Sequence, residues 1–175
     1  TNGLAQYEKS LKGILEEFEI PYFIDTKREI ISHPLIEVIR SVLDAIVYHF
    51  NYEGMFRYLK TGFSLLTQSE TDELENYVLA YGIKGQKWLK DTWEYGMQDK
   101  TQQQKEYINQ LREKAIMPLI PLYEKSKRKQ TLLEWTKGIF TFLQTVYAGE
   151  KTMELAEKAE TVERAKEHQQ IWSML

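Results

Sequence analysis

A chain of 175 residues with 42% hydrophobic and 28% charged residues has the make-up of one globular domain, long enough to bury about 70% of its unfolded surface. The net charge of −3 lacks the basic excess of most nucleic-acid-binding domains, although local basic patches can still contact DNA. With no cysteine, disulfides, cysteine nucleophiles and thiolate-bound metal or iron–sulfur centres are excluded within these residues, which agrees with a reducing cytoplasm.

The elements follow from periodicity. Leu4, Leu11, Ile14, Leu15 and Phe18 recur at helical spacing and predict an amphipathic helix over about 4–18. Glu16, Glu17 and Glu19 near its end are disfavoured by the helix dipole and read as a solvated face. Ile20–Ile24 is a short apolar run, but Pro21 cannot donate a ladder hydrogen bond, so it reads as an edge strand or extended segment. A charged corner at 25–29 follows. His33 is held out of the α region by Pro34, which suits a first helical turn. Leu35, Ile39, Val42, Leu43, Ile46 and Phe50 then form one apolar face, widened by Ile36, Val38 and Val47. A helix this apolar is expected to be buried and to form the centre of the core.

Further along, 53–63 predicts a short helix with Met55, Phe56 and Leu59 inward, stopped by Gly62. Ser69 and Asp72 have the spacing of a capping signal for a helix carrying Leu74, Tyr77, Val78 and Tyr81 and ending at Gly82. Gly82–Trp88 is a glycine-punctuated basic loop carrying a tryptophan, and 88–97 is aromatic-rich and ambiguous. A helix using Ile108, Leu111 and Ala115 is broken or restarted at Pro118 and Pro121. A basic run at Lys125–Lys129 precedes a helix with Leu132, Trp135, Ile139, Phe140, Leu143 and Val146 inward, ended by Gly149. The last segment, 151–175, is charged, with Leu155, Ala159 and Val162 on its inner face and Glu154–Lys158 and Glu160–Arg164 at i,i+4 spacing. The expected fold is all-α: about seven helices in an irregular bundle with one short extended or β segment near 20–24. No run is long enough to span a bilayer, so no membrane partner is expected. Thr1 and the apolar end at Trp172–Leu175 read as cuts from a longer polypeptide.

Catalytic motifs are incomplete. Gly149-Glu150-Lys151-Thr152 resembles the tail of a phosphate-binding loop, but Glu stands where Lys should follow Gly and the upstream glycine is missing. Lys60-Thr61-Gly62 lacks such a loop altogether. His33, His49 and His168 have no metal-ligand spacing, and each reads as structural. Asp72, Glu73 and Glu75 could suggest a two-metal nuclease, but capping and dipole pairing account better for acids in a first turn. What remains is a set of basic and aromatic positions at helix ends and loops: Arg28, Arg57, Lys60, Lys84, Lys87 and Trp88. Such cations can neutralise phosphates and an exposed Trp can stack on a base; ordinary surface charge and a core Trp are the alternative.

Ile20-Pro21-Tyr22-Phe23-Ile24-Asp25 with His33-Pro34-Leu35-Ile36 resembles the B subunit of the bacterial AddAB (RexAB-type) helicase–nuclease. The stretches Arg57–Gly62, Leu74–Val78 and Tyr81–Gly85 with Trp88 strengthen this, so the resemblance covers about 18–90. More distantly, the IPY segment and the helix after it are similar to the second RecA-like domain of superfamily 1 helicases, which leads into an inserted helical 2B domain. By that likeness, 1–175 is a single helical domain excised from a larger subunit, with a junction strand and buried helix at 18–50 and a 2B-like region at 53–175. The glycine-rich RGIG-type sequence that helicases place soon after is missing.

The resemblance implies a larger subunit that acts with a partner A subunit on broken DNA ends and surveys the single strand. ATP, Mg2+ and an iron–sulfur cluster would serve the parent complex outside this stretch. This piece would carry no catalytic residue and no cofactor. It would contact DNA, single-stranded or at a duplex end, through Arg28, Arg57, Lys60, Thr61, Lys84, Lys87 and Trp88. A purely structural packing module for the partner subunit is the alternative; an independent enzyme is not expected.

Overall fold

The structure, a computed structural model, describes residues 4–22 and 30–174 and falls into two units that divide after Ile30. In the first, α1 (Leu4–Glu17) carries Tyr7, Leu11 and Ile14, and Phe18 just past its end continues their 4-3-4 spacing, all exposed. Glu19 takes a left-handed conformation (φ 50°) and the Ile20 N–H reaches back to the Leu15 carbonyl at 2.9 Å, the bond of a Schellman-type stop. Ile20–Tyr22 continues as extended backbone, and no strand occurs among the described residues. Phe23, Ile24 and the charged corner, with Arg28, lie outside the described residues.

The second unit is the bundle. Its helices are α2 (Pro34–Val47), α3 (Tyr52–Leu59), α4 (Gln68–Ala80), α5 (Gln102–Ile116), α6 (Ile120–Ser126), α7 (Leu132–Thr145), α8 (Ala148–Glu157) and α9 (Val162–Ser173). The all-α expectation holds, with nine α-helices among the described residues where the sequence suggested about seven. One division was expected, at Pro118 and Pro121, and one was not, between 157 and 162. Pro118 and Pro121 separate α5 from α6 through a 3-10 turn at Met117–Leu119, and α8 parts from α9 just before Thr161, which caps α9 by accepting from the Arg164 N–H.

The central helix is α2. Pro34 occupies its first turn, and the His33 imidazole Nδ1 accepts from the Leu35 N–H at 3.1 Å as the N-cap. Leu35, Val38, Val42, Ala45 and Ile46 are buried, as is Phe50, whereas Val47 is exposed. α2 packs closely on α3 because Gly54 has no side chain: a Cβ there would lie 2.8 Å from the Ala45 Cα. The turn between them places two successive non-glycine residues, His49 and Phe50, in the left-handed region (φ 52° and 55°). Burial of Phe50 against Tyr123, with ring centroids 4.8 Å apart, holds this strained corner in place.

Four local expectations are corrected. The capping box of α4 is Thr67 with Glu70, two residues upstream of Ser69 and Asp72, since Thr67 is the residue left in extended conformation at the helix start. Gly149 does not end α7. Tyr147, left-handed at φ 56°, makes that corner, and Gly149 sits in α8 where Trp172 of α9 packs against its bare Cα. On the last two helices the buried positions are Ala148, Thr152, Ala156 and Ile171, while Val162 is exposed. Leu132 and Phe140 of α7 are exposed as well, because the buried side of that helix runs through Gly138, Phe142 and Leu143.

Candidate nucleic-acid interface

The sequence-predicted cations fall into two groups, both touching α4. The first is at the end of α3. Arg57 pairs with Asp44 at 3.0 Å and Glu37 at 3.8 Å, both on α2. Lys60 donates to Glu75 at 2.7 Å, and the same carboxylate oxygen accepts the Tyr52 hydroxyl at 2.6 Å. The bond to Glu75 raises the Lys60 ammonium above its ordinary value. Burial pushes the Glu75 carboxyl up, but the bonds from Lys60 and Tyr52 outweigh it and hold it below the usual carboxylate range. The Thr61 hydroxyl donates to the Tyr58 carbonyl at 2.7 Å and accepts from the Phe63 N–H at 3.2 Å, closing the turn after α3. Each member of this group is bound to the protein itself.

The second group follows α4. Gly82 (φ 54°) ends the helix, and a 3-10 segment runs over Gly85–Leu89. Lys84 is exposed and has no side-chain partner among the described residues. Lys87 Nζ donates to the Gly82 carbonyl at 3.0 Å and lies against the Tyr81 carbonyl at 3.5 Å, a favourable position for a cation at a helix C-terminus. It also lies 5.0 Å from the centroid of the Tyr95 ring, with Lys90 at 5.4 Å from the same ring. Glu75 and Tyr81 are six residues apart along α4 and its cap, so the two groups are anchored roughly 9 Å apart along its axis.

Trp88 does not belong to this surface. It is 0% exposed, packed edge-on against Trp93 at 5.1 Å and tilted against Phe56 at 6.3 Å, so the expected stacking role is corrected. The loop is folded inward by α5. Asn109 accepts from the Trp93 N–H at 2.7 Å and donates to the Trp93 carbonyl at 3.1 Å, while Arg112 donates to the Asp91 carbonyl at 2.7 Å. The Trp93 indole N–H completes the arrangement by donating to the Lys87 carbonyl at 2.7 Å.

Tyrosines supply the aromatic surface that Trp88 does not. Tyr77 of α4, Tyr81 capping its end and Tyr107 of α5 line an open cleft of about 360 Å³ with Asn76, Lys100 and Gln104. Tyr77 is fixed by its hydroxyl bond to the Tyr95 carbonyl at 2.6 Å and by stacking on Trp93 at 5.7 Å. Burial pushes its hydroxyl up to about 12, so it stays a neutral donor. The i,i+4 pair Tyr77/Tyr81 was visible in the sequence, where it counted as core; Tyr107 gave no signal.

The residues that resemble a phosphate-loop tail have internal roles. Lys151 donates to the Ser64 carbonyl, and the buried Thr152 hydroxyl donates to the Ala148 carbonyl at 2.6 Å. Among the described residues no cluster of three or more His, Cys, Asp or Glu has a metal-holding arrangement, and no helix is long and apolar enough to cross a membrane.

Fold and surface together define a helical module bearing a basic, tyrosine-lined face. No family model matches the chain. Its relatives are nonetheless specific. It is 43% identical over its whole length to the B subunit of the ATP-dependent helicase/deoxyribonuclease of Clostridium novyi (strain NT), covering 15% of that protein. It is 38% identical over its whole length to the protein of the same name from Clostridium botulinum (strain Loch Maree / Type A3), covering 16%. Over 99% of the chain it is 33% identical to that of Acetivibrio thermocellus, again covering 16%. The chain therefore belongs to the B-subunit family of these helicase/deoxyribonucleases, as a homologue from end to end of one segment, and it spans about 15% of the length of those relatives.

Proposed function

We propose that this chain is a non-catalytic, DNA-handling module of the B subunit of an ATP-dependent helicase/deoxyribonuclease, working in the cytoplasm on single-stranded DNA or duplex ends in double-strand break repair, together with a partner A subunit. The observation that carries this reading is the run of Lys84, Lys87 and Lys90 just after α4, with Lys87 and Lys90 over the Tyr95 ring and Lys87 against the Tyr81 carbonyl. Cations next to exposed aromatic rings are what a single strand needs, phosphate neutralisation with base stacking. Lys84 and Lys87 are the primary contacts. Arg57, Lys60 and Thr61 would join them only by exchanging their present partners, and Arg28 completes the proposed set.

The chemistry in the relatives' names belongs to other parts of such a protein. An iron–sulfur cluster does not fit here, since the chain offers no thiolate, and the Lys151–Thr152 pair is committed to main-chain carbonyls rather than to a nucleotide. A structural packing role is the second reading, favoured by the exposed stripe of α1 and by the exposed Leu132, Leu133 and Phe140 on α7.

Fluorescence anisotropy with a single-stranded oligonucleotide across a salt series tests the proposal. Lys84→Gln and Lys90→Gln should each reduce the salt slope by about one unit. The double variant Lys60→Gln/Glu75→Gln, which removes a pair without changing net charge, should leave it unchanged. Absent binding, or a slope indifferent to Lys84 and Lys90, overturns the DNA reading. Capture of the A subunit without DNA binding would favour the packing role.

A further inference from the structure

We propose that the cleft between α4 and α5 is a receiving site for one unpaired nucleobase of a single strand whose backbone runs over the Lys84–Lys90 loop. This inference rests on the DNA-handling reading and deepens it.

The walls and rim of the cleft suit a flat, polar-edged ring. Tyr81 and Tyr107 are each 37% exposed, while Tyr77 behind them is immobilised by Tyr95 and Trp93. Tyr81 is itself held in place by Gly96, whose bare Cα it overlies; a Cβ there would fall 2.0 Å from the tyrosine oxygen. Two rigid aromatic faces at an open cleft offer stacking with little ordering cost. The rim carries unused hydrogen-bonding groups. The Asn76 amide has no partner among the described residues, and Gln104 uses its oxygen to cap Thr101 at 3.0 Å but leaves its amide donors open. Side-chain amides of this kind pair with donor and acceptor atoms on a base edge.

Charge and size narrow the ligand. Burial, and then the nearby Glu73 carboxylate, raise the Tyr107 phenol above its ordinary value. Glu73 and Lys100 line the cleft together, so its walls carry no net charge, which suits a neutral base with its phosphate outside on the lysines. The volume of about 360 Å³ lies at the small end of ligand sites, enough for a base and not for an extended cofactor. Tyr81 joins the two parts: its ring lines the cleft and its carbonyl lies against Lys87, so the lysines begin where the cleft ends. A base in duplex DNA must first be unstacked and unpaired to enter, so the site favours a single strand.

The experiment compares this chain binding two oligonucleotides of equal length and charge, one with normal bases and one with an abasic sugar–phosphate chain. The normal strand should bind about tenfold more tightly. Tyr107→Ala should remove most of that difference and Tyr107→Phe should keep it, with circular dichroism confirming that both variants fold. Equal affinity for the two strands, with salt dependence intact, overturns the cleft and leaves the lysine face standing. No binding of either strand overturns both. A normal strand that remains preferred in a folded Tyr107→Ala variant likewise overturns the cleft, by placing the stacking elsewhere. Mass spectrometry of a strand carrying 5-iododeoxyuridine, crosslinked by light, should find the adduct at Tyr81 or Tyr107; an adduct confined to other residues overturns the site.

Discussion

The end of α3 and the loop after α4 carry the same kinds of residue in sequence, yet the fold uses them differently. At α3 the cations meet carboxylates: Arg57 with Asp44 and Glu37, Lys60 with Glu75. In the loop Lys87 meets carbonyls and a tyrosine ring, and Lys84 meets nothing described. An exposed ion pair contributes little to stability, but it neutralises the cation that a phosphate would need. A lysine on carbonyl oxygens keeps its full charge. Counting basic residues therefore overstates the first region; the loop, with its net positive charge, is the better candidate for binding.

The sharpest way to break this comparison is at Trp88. If the loop is a folded part of the core, Trp88→Ala should cost about 3–5 kcal/mol of stability, read from the denaturant midpoint. A folded variant with undiminished stability and weakened DNA binding would restore the surface role that the sequence suggested. Next, on the α3 side, Gly54→Ala should cost about 1–3 kcal/mol, because the added methyl collides with the Ala45 backbone rather than with a mobile side chain. An unchanged melting temperature would mean that α3 is free to move off α2. Tyr58→Phe should stabilise the fold by about 1 kcal/mol, since the Tyr58 hydroxyl is buried without a hydrogen-bond partner among the described residues, and burial alone pushes its pKa far up. A loss of stability instead would point to a water bound there.

Acid gives the smallest and most gradual change, and it acts on a site apart from both basic regions. His33 is 4% exposed, and its Nδ1 is occupied by the Leu35 N–H, so its proton sits on Nε2 and is donated to His168 Nδ1 of α9 at 2.7 Å. Burial, then the neighbouring His168, lowers the His33 pKa from its ordinary 6.5, against an opposing pull from Glu167. A lowered folded value means the unfolded chain takes up the proton first as pH falls. The contribution is therefore present above about 6.5 and is lost as the solution is acidified towards the folded value. His33→Asn, which keeps a capping acceptor, should flatten the dependence of the denaturant midpoint between neutral and mildly acid pH. A slope equal to that of the parent chain would rule His33 out as its source.

Much of the fold was legible because it is local. Leu35, Val38, Val42 and Ile46 announce α2 by spacing alone, and Pro34 marks its start. The cap of α4 was misplaced because two overlapping Ser/Thr-to-acid spacings compete, and only the backbone conformation of Thr67 decides between them. Trp88 misled for a different reason. A tryptophan between glycines and lysines looks exposed, and what buries it is distant in sequence: Phe56 on α3, and Asn109 and Arg112 on α5, which fold the loop inward. The tyrosine cleft was illegible on the same grounds, since Tyr81 and Tyr107 are brought together only when α4 and α5 pack.

The Asn109 side chain grips both the N–H and the carbonyl of Trp93, as a neighbouring strand would across one rung of a sheet. An irregular loop gains from this the protection of regular structure. In heavy water the Trp93 amide should exchange its proton as slowly as those inside α5, and only unfolding of the core would release it. The bases of a passing strand would then meet a surface whose backing is as firm as a helix.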